Sequence, residues 1–476
     1  MKNISIKSSF LLSELFFINE DIEANHNEKE VLKNFSYLYF SKLKGSNISV
    51  KTRYHIILGV FFLLLLFSCK THQTIGPTEY RGQNLSYLYN PGASTLHPRF
   101  LVYHNSESST NLMVKVYPVE LLFNQANEGG TYQAWLSIRY RSFELGANRV
   151  LVDSASLEFP LQMDGLKKEF VTNIGLNTEP TKKYLVEVVV MDRLRKTAVQ
   201  SFIPIDRTTD YNSQNFMILN HRSRSVIFNP VVDSNMVFDV YFPKRTIDTL
   251  YVRYYKPDDR IPYAPNLLIT SPTTLGDPDS TWIHPYWDSL GIQLNKEGIY
   301  QYAIDSMAES GSNIYYFGQY YPSVKEPEQL IDPLVYLLSD NEIAEMKRQE
   351  SAKIAVDDFW LKSAGEINRA KELIRVYYNR VLYANYFFSS FKEGWRTDRG
   401  MIYIIYGPPT GLYKTPSQEQ WVYGEGESSI SFVFQVIESP LSYNVYRLQR
   451  TDDLNSKWNQ AVRSWRQGNI FILTND

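Results

Sequence analysis

The chain has 476 residues, 43% hydrophobic and 21% charged, the composition of a globular protein long enough for several domains. A formal net charge of −2 excludes a basic nucleic-acid footprint, and no nucleic-acid partner is expected. A single cysteine excludes an internal disulfide and a zinc site built on cysteines.

The first segment, residues 1–50, carries Glu14, Glu20, Asp21, Glu23, Glu28 and Glu30, a run of acids unlike a targeting segment. It reads as a spurious N-terminal extension, with Val50 as the candidate true start. Residues 51–69 then have the order of a secretory signal. Lys51 and Arg53 come first, an apolar run from Ile56 to Phe67 comes next, and Ser68-Cys69 closes it. That run is about 12 residues long, short of the ~20 that span a bilayer as a helix. Leu66-Phe67-Ser68-Cys69 resembles the lipobox of bacterial lipoproteins, although Phe67 is bulkier than usual at its position. The resemblance implies cleavage before Cys69 and a lipid on its thiol, so that the membrane is the first expected partner. Lys70-Thr71-His72-Gln73 comes after it, with no acid before Glu79. Surface-exported lipoproteins of this type tend to carry acids there, so the expected location is the periplasmic side of the outer membrane.

Residues 70–96 are polar and rich in Gly, Pro, Ser and Asn, and read as a flexible tether. From 97 to 208 the hydrophobic pattern alternates with period two. Ala134, Leu136, Ile138 and Tyr140 share one face, and Tyr184, Val186, Val188 and Val190 repeat the device. A hairpin is predicted around Asp192–Lys196, and about seven strands fit this β-sandwich-like domain. A second β-rich domain is predicted over 209–322, where Met236, Phe238, Val240 and Phe242 alternate against Asp239 and Tyr241. Within it, 256–292 reads as loop. Tyr315-Tyr316-Phe317-Gly318-Gln319-Tyr320-Tyr321 reads as strand with half of its rings turned to the core, and a stacking platform for sugars is the alternative.

Around 323 the pattern changes. Ser339 and Glu342 have capping-box spacing, and a helix is predicted to about Glu350. Ser363 and Glu366 repeat the spacing before a long helix. Its apolar face holds Ile367, Ala370, Ile374, Tyr377, Val381, Ala384 and Phe388, and its end is predicted near Phe391. Strands are predicted at 401–406, 420–423, 430–437 and 444–448, and a last helix at 454–466. The fold class is therefore multidomain: two antiparallel β-sandwich-like domains, then an α+β module over 323–476.

Within that module runs Gly394-Trp395-Arg396-Thr397-Asp398-Arg399-Gly400, succeeded by an apolar hexapeptide and Gly407-Pro408-Pro409. With Asp358-Phe359-Trp360 and Tyr383-Ala384-Asn385 upstream, it closely resembles the signature of the GWxTD-domain family of exported bacterial proteins. The resemblance covers roughly 330–476 and implies architecture and export rather than an activity. Two readings of the motif stand side by side. In one it is a helix-to-strand corner, in which Trp395 packs back on the long helix and Thr397 and Asp398 bond local backbone N–H groups. In the other it is a surface site made of Asp398, Arg396 and Arg399. Gly407-Pro408-Pro409 does not suit a phosphate loop, because proline removes the N–H donors that cradle phosphate.

No catalytic residue is assigned. The seven histidines stand at 26, 55, 72, 97, 104, 221 and 284, none in the C-terminal module, and none with metal-ligand spacing. No metal or cofactor is expected. Asp357, Asp358, Glu366, Glu393 and Asp398 are the carboxylates available to an acid–base mechanism. His284, Tyr286 and Trp287, in the expected loop, form a candidate binding loop. The leading expectation is a non-enzymatic envelope lipoprotein whose C-terminal module docks other, unidentified envelope proteins. A glycan- or peptidoglycan-binding module is the alternative, and a carboxylate-based hydrolase comes third.

Overall fold

A computed structural model describes residues 84–473, apart from 126–129, 147, 164–167, 245–246, 288 and 427–428. Cys69, the apolar run before it, the extension 1–50 and the tether up to 83 lie outside the described residues. No helix among the described residues is long and apolar enough to cross a membrane.

The alternation read from 97 onward becomes eight strands: β1 (Arg99–His104), β2 (Ser109–Val116), β3 (Asn124–Gln125), β4 (Tyr132–Leu145), β5 (Arg149–Gln162), β6 (Phe170–Asn177), β7 (Lys183–Asp192) and β8 (Thr197–Asp206). They form two antiparallel sheets, β1-β2-β6 and β3-β4-β7-β8, with β5 paired to β4. The period-two faces meet between them: Ala134, Leu136, Ile138, Val186, Val188 and Val190 pack against Leu112, Val114, Ile174 and Leu176. This is a β-sandwich, and the expected hairpin joins β7 to β8.

A second sandwich comes next, from β9 (Met217–Asn220), β10 (Val237–Tyr241), β11 (Thr249–Tyr255), β12 (Ser280–Pro285), β13 (Ile292–Gln293), β14 (Gly298–Ala303) and β15 (Ser312–Tyr316). The sheets β13-β10-β9 and β12-β11-β14-β15 close over Phe238, Val240, Leu250, Val252, Tyr302 and Ile314. One expectation changes here. The stretch 256–292 is not loop throughout, since β12 returns at Ser280 and pairs residue by residue with β11. The long Pro- and Asp-rich excursion before it hides so short a strand. Of the five rings at 315–321, Tyr315, Tyr316 and Phe317 are buried and Tyr320 and Tyr321 are half-buried. Tyr316 joins the sandwich core, while Tyr315 and Phe317 pack on the opposite face with Phe391, Leu441 and Val445 of the C-terminal module.

The module holds α1 (Pro327–Ile331), α2 (Asp340–Arg348), α3 (Ala352–Ala364), α4 (Ile367–Phe388), α5 (Asp398–Tyr406) and α6 (Leu454–Arg466). It also holds one antiparallel sheet of β16 (Gly411–Lys414), β17 (Gln418–Tyr423), β18 (Ile430–Val436) and β19 (Tyr446–Leu448). α4 is central: Ala370, Leu373, Tyr377, Val381, Ala384 and Phe388 are buried, and Tyr377 meets Trp360 and Trp465 ring to ring. The Ser339–Glu342 capping box forms. The one expected at Ser363 does not. Ser363 lies inside α3, Gly365 ends that helix in the left-handed region, and the side chain of Glu366 caps α4.

The strand expected at 401–406 is a helix, α5. All nine of its residues are buried, so neither a period of two nor one of 3.6 is written in the sequence. Residues 84–96 also depart from a tether. Ser86–Tyr89 forms a short 3-10 turn, and Leu85 and Tyr89 enter the module's core. The Leu85 N–H donates to Leu412 O at 2.8 Å, and the Tyr403 hydroxyl donates to Tyr89 O at 2.9 Å.

Candidate functional site

The motif makes a helix-to-helix corner. α4 ends at Phe388, the chain turns through a short 3-10 segment at Gly394–Arg396, and α5 begins at Asp398. The turn is tight enough to exclude side chains. A Cβ on Gly394 would stand 2.0 Å from Ala384 O, and one on Gly400 would stand 1.9 Å from Gly394 O. Thr397 is the N-cap of α5: its hydroxyl accepts from the Gly400 N–H at 3.0 Å and donates to Gly394 O at 2.7 Å. Trp395 is buried. Its N–H donates to Asn385 Oδ1 at 2.9 Å, and its carbonyl accepts from the Tyr336 hydroxyl at 2.6 Å. Its ring meets Tyr336 edge-on and lies 4.2 Å from the Arg396 guanidinium, rather than against Tyr383, Phe387 or Phe391 as a simple back-packed corner suggests.

The two charged residues after Thr397 point inward. Asp398 Oδ1 accepts from Arg450 at 2.7 Å and Ser271 at 3.1 Å, and Oδ2 accepts from the Leu448 N–H at 2.8 Å. Arg399 reaches Glu419 at 3.2 Å and stacks 3.7 Å from the Tyr446 ring. Glu419 also accepts from Lys414 at 2.6 Å, Tyr89 at 2.9 Å and Trp421 at 3.1 Å. Burial alone would push the Glu419 carboxyl up, but Lys414 and Arg399 outweigh it and hold it at about 2. The surface site imagined from Asp398, Arg396 and Arg399 is therefore not assembled. Asp398 and Arg399 are buried in separate networks, and Arg396 is largely covered, its side chain 12% exposed.

Arg396 lines a cleft of about 170 Å³ between the corner and the loop at 257–259. It bonds Glu393 at 2.7 Å and Asp259 O at 3.0 Å. Lys392 stands 3.6 Å from Asp258. Burial pushes the Glu393 carboxyl up and the Lys392 ammonium down. The acids and cations here are ion-paired to each other across the seam between sandwich and module. Of the other carboxylates singled out, Glu366 caps α4, Asp357 pairs with Lys353 on the surface of α3, and Asp358 is exposed beside it. No group of histidines, cysteines or carboxylates among the described residues could hold a metal ion.

His284 and Tyr286 do not share an open loop. His284 sits at the end of β12, and the Tyr286 hydroxyl accepts from the Phe242 N–H at 3.1 Å. Trp287 is exposed, with its indole N–H on Ser289 O at 2.7 Å. His97 bonds Glu120, and His104 is buried between Thr110 and Asp206. Two features escaped the sequence reading. One is the Tyr89–Glu419–Arg399 network. The other is the loop at 263–273, which Asp398 and Arg450 hold; Ser271 and Thr273 gave no local signal for it.

Residues 298–467 match the family model described as the GWxTD domain, a span that takes in β14 and β15 as well as the module. No curated protein matches the chain. Among solved structures, a calcium-binding mutant of Bacteroides uniformis beta-glucuronidase 2 matches at 14% identity and a TM-score of 0.18. That match covers 36% of this chain and only 17% of the other. The corner lies within this span, and the chain carries a GWxTD domain over residues 298–467.

Proposed function

We propose that the protein is a lipid-anchored, non-enzymatic component of the bacterial cell envelope. In this reading the thiol of Cys69 carries the lipid, the body faces the periplasm from the outer membrane, and the GWxTD domain presents a docking surface to other envelope proteins. The observation that carries the docking reading is the use to which Asp398 is put. With Arg450 it grips Ser271, and Arg450 also bonds Tyr263 O at 2.6 Å. Asn266 bonds Asn455 of α6 at 3.1 Å. The loop of the middle sandwich is thus pinned on the module, and Leu267, Leu268 and Ile269 face solvent at 44, 64 and 52% exposure. Three consecutive exposed apolar residues suit a protein interface, and a loop ordered in advance loses less entropy when a partner binds.

The test places a photo-crosslinking side chain at Asn266 in the full chain, in its native envelope. Discrete adducts are expected that vanish in Leu268→Asp/Ile269→Asp and weaken in Asp398→Ala. Cys69→Ser should no longer incorporate labelled fatty acid and should move to the soluble fraction. Unchanged adducts in the loop variant would overturn the docking reading, and continued labelling of Cys69→Ser would overturn the anchor.

A further inference from the structure

The second sandwich carries a groove that the docking reading does not use. It lies beside the free edge of β12, has a volume of about 460 Å³, and is bounded by Trp282, His284, Gln293, Asn295, Lys296 and Tyr300. That volume falls in the range of small-ligand pockets. Trp282 stands at its rim, 40% exposed. Its orientation is set from below: the buried Tyr300 meets it edge-on at 6.3 Å, and the Tyr300 hydroxyl is tied to Lys296 O at 2.8 Å. The result is an aromatic face held in place with one side open.

The polar groups of the groove include one cation and neutral amides. Lys296 Nζ rests 4.2 Å from the Tyr254 ring centroid and has no ion-pair partner among the described residues. Asp279, the carboxylate that feels its charge, is itself bonded to Lys256 at 2.7 Å. Among the described residues no carboxylate lines the groove, in a chain whose net charge is negative. Gln293 spends its amide N–H on Ser234 O, which leaves its carbonyl for a ligand, and the Asn295 amide stands beside it.

We propose that this groove binds a short saccharide carrying a carboxylate. One apolar C–H face of a pyranose ring lies on Trp282, the ring hydroxyls meet the Gln293 and Asn295 amides, and the carboxylate is held by Lys296. An aromatic plane and a few convergent polar groups match the two faces of a sugar, and the unpaired ammonium selects the acidic one. An all-apolar ligand would leave Lys296 and the amides unmatched, and a nucleotide would bring more negative charge than one ammonium answers.

The probes are trigalacturonate and its fully methyl-esterified form, titrated by calorimetry into the whole exported chain, 70–476. Trigalacturonate is expected to bind saturably with Kd below about 1 mM, and the ester about tenfold more weakly. Trp282→Ala should lose binding of both by tenfold or more, Trp282→Phe should keep most of it, and Lys296→Gln should erase the difference between acid and ester. Trp282 lies on the edge strand β12 and Lys296 in the exposed turn before β14, so unchanged circular dichroism and melting temperature confirm that the variants fold. The proposal is overturned by absence of binding to both probes, by equal affinity for acid and ester, or by unaltered binding in Trp282→Ala. Binding of a tri-glutamate peptide in place of the saccharide would overturn it as well, and would assign the groove to acidic chain termini. None of these outcomes bears on the loop at 267–269, whose crosslinks are read separately.

Discussion

Asp398 bonds across 50 residues to Leu448 and across 52 to Arg450, not to its own turn. That changes what its removal costs. A lost helix cap costs about 0.5–2 kcal/mol. Deleting one partner of a buried ion pair costs about 3–5 kcal/mol, because the other charge stays buried, and here Arg450 is 4% exposed. Trp395→Ala belongs in the same range, about 3–5 kcal/mol, as the loss of a buried indole. Asp398→Ala and Trp395→Ala should therefore shift the GWxTD-domain transition in urea by similar amounts. Gly394→Ala should shift it further, since the new methyl meets backbone rather than a movable side chain. If Asp398→Ala shifted it by less than about 1 kcal/mol, the ion pair with Arg450 would not be the source of its stability. The motif's residue types were legible as a corner: glycines for a close turn, a threonine for a cap, a tryptophan for an anchor. The partners of Asp398 were not, because nothing local marks Ser271 or Arg450.

At the scale of elements, the segment Ser86–Tyr89 matters most for what counts as a folding unit. The Tyr89 ring packs at 4.9 Å from Phe388 and 5.4 Å from Trp421, and its hydroxyl bonds Glu419. A fragment that starts at 323 lacks this turn as well as β14 and β15, and should melt well below the chain 70–476. Tyr89→Ala should cost about 3–5 kcal/mol. Tyr89→Phe should cost about 1.5–3 kcal/mol, since it keeps the ring and gives up the hydroxyl's bonds to charged Glu419, Arg399 and Lys414. Equal melting temperatures for Tyr89→Ala and the parent would mean that the N-terminal turn is not part of the domain's core. Helices with one buried stripe, α4 and α6, were readable from their spacing. α5 was not: a helix buried all round has the sequence of a buried strand, and only the Thr397 cap distinguishes them.

Across the whole molecule, acid should act on the domains in sequence. In the first sandwich, burial, aided by Arg207, depresses His104 from 6.5 to about 4. The unfolded chain takes up that proton first, so the contribution is present above pH 6.5 and is lost as pH falls toward 4. In the GWxTD domain, Glu419 is depressed from 4.5 to about 2, so its contribution holds above pH 4.5 and is lost as pH falls toward 2. Hydrogen exchange resolved by domain should show protection falling in β1, β2 and β8 before it falls in β17 and α5. The reverse order would show that these two groups do not set the acid response. By itself the sequence determined the two alternating β-domains, their order before a helical module, the family motif and the signal-like run before Cys69. Each is a local pattern, set by the period of the backbone or by neighbouring residues. Only the tertiary structure decided that 401–406 is helix, that β12 returns from a long loop, that Tyr315 is covered on its second face, and that Asp398 reaches another domain. Those outcomes depend on surfaces brought together from distant parts of the chain, where burial on every side erases the periodicity that a one-sided core would write.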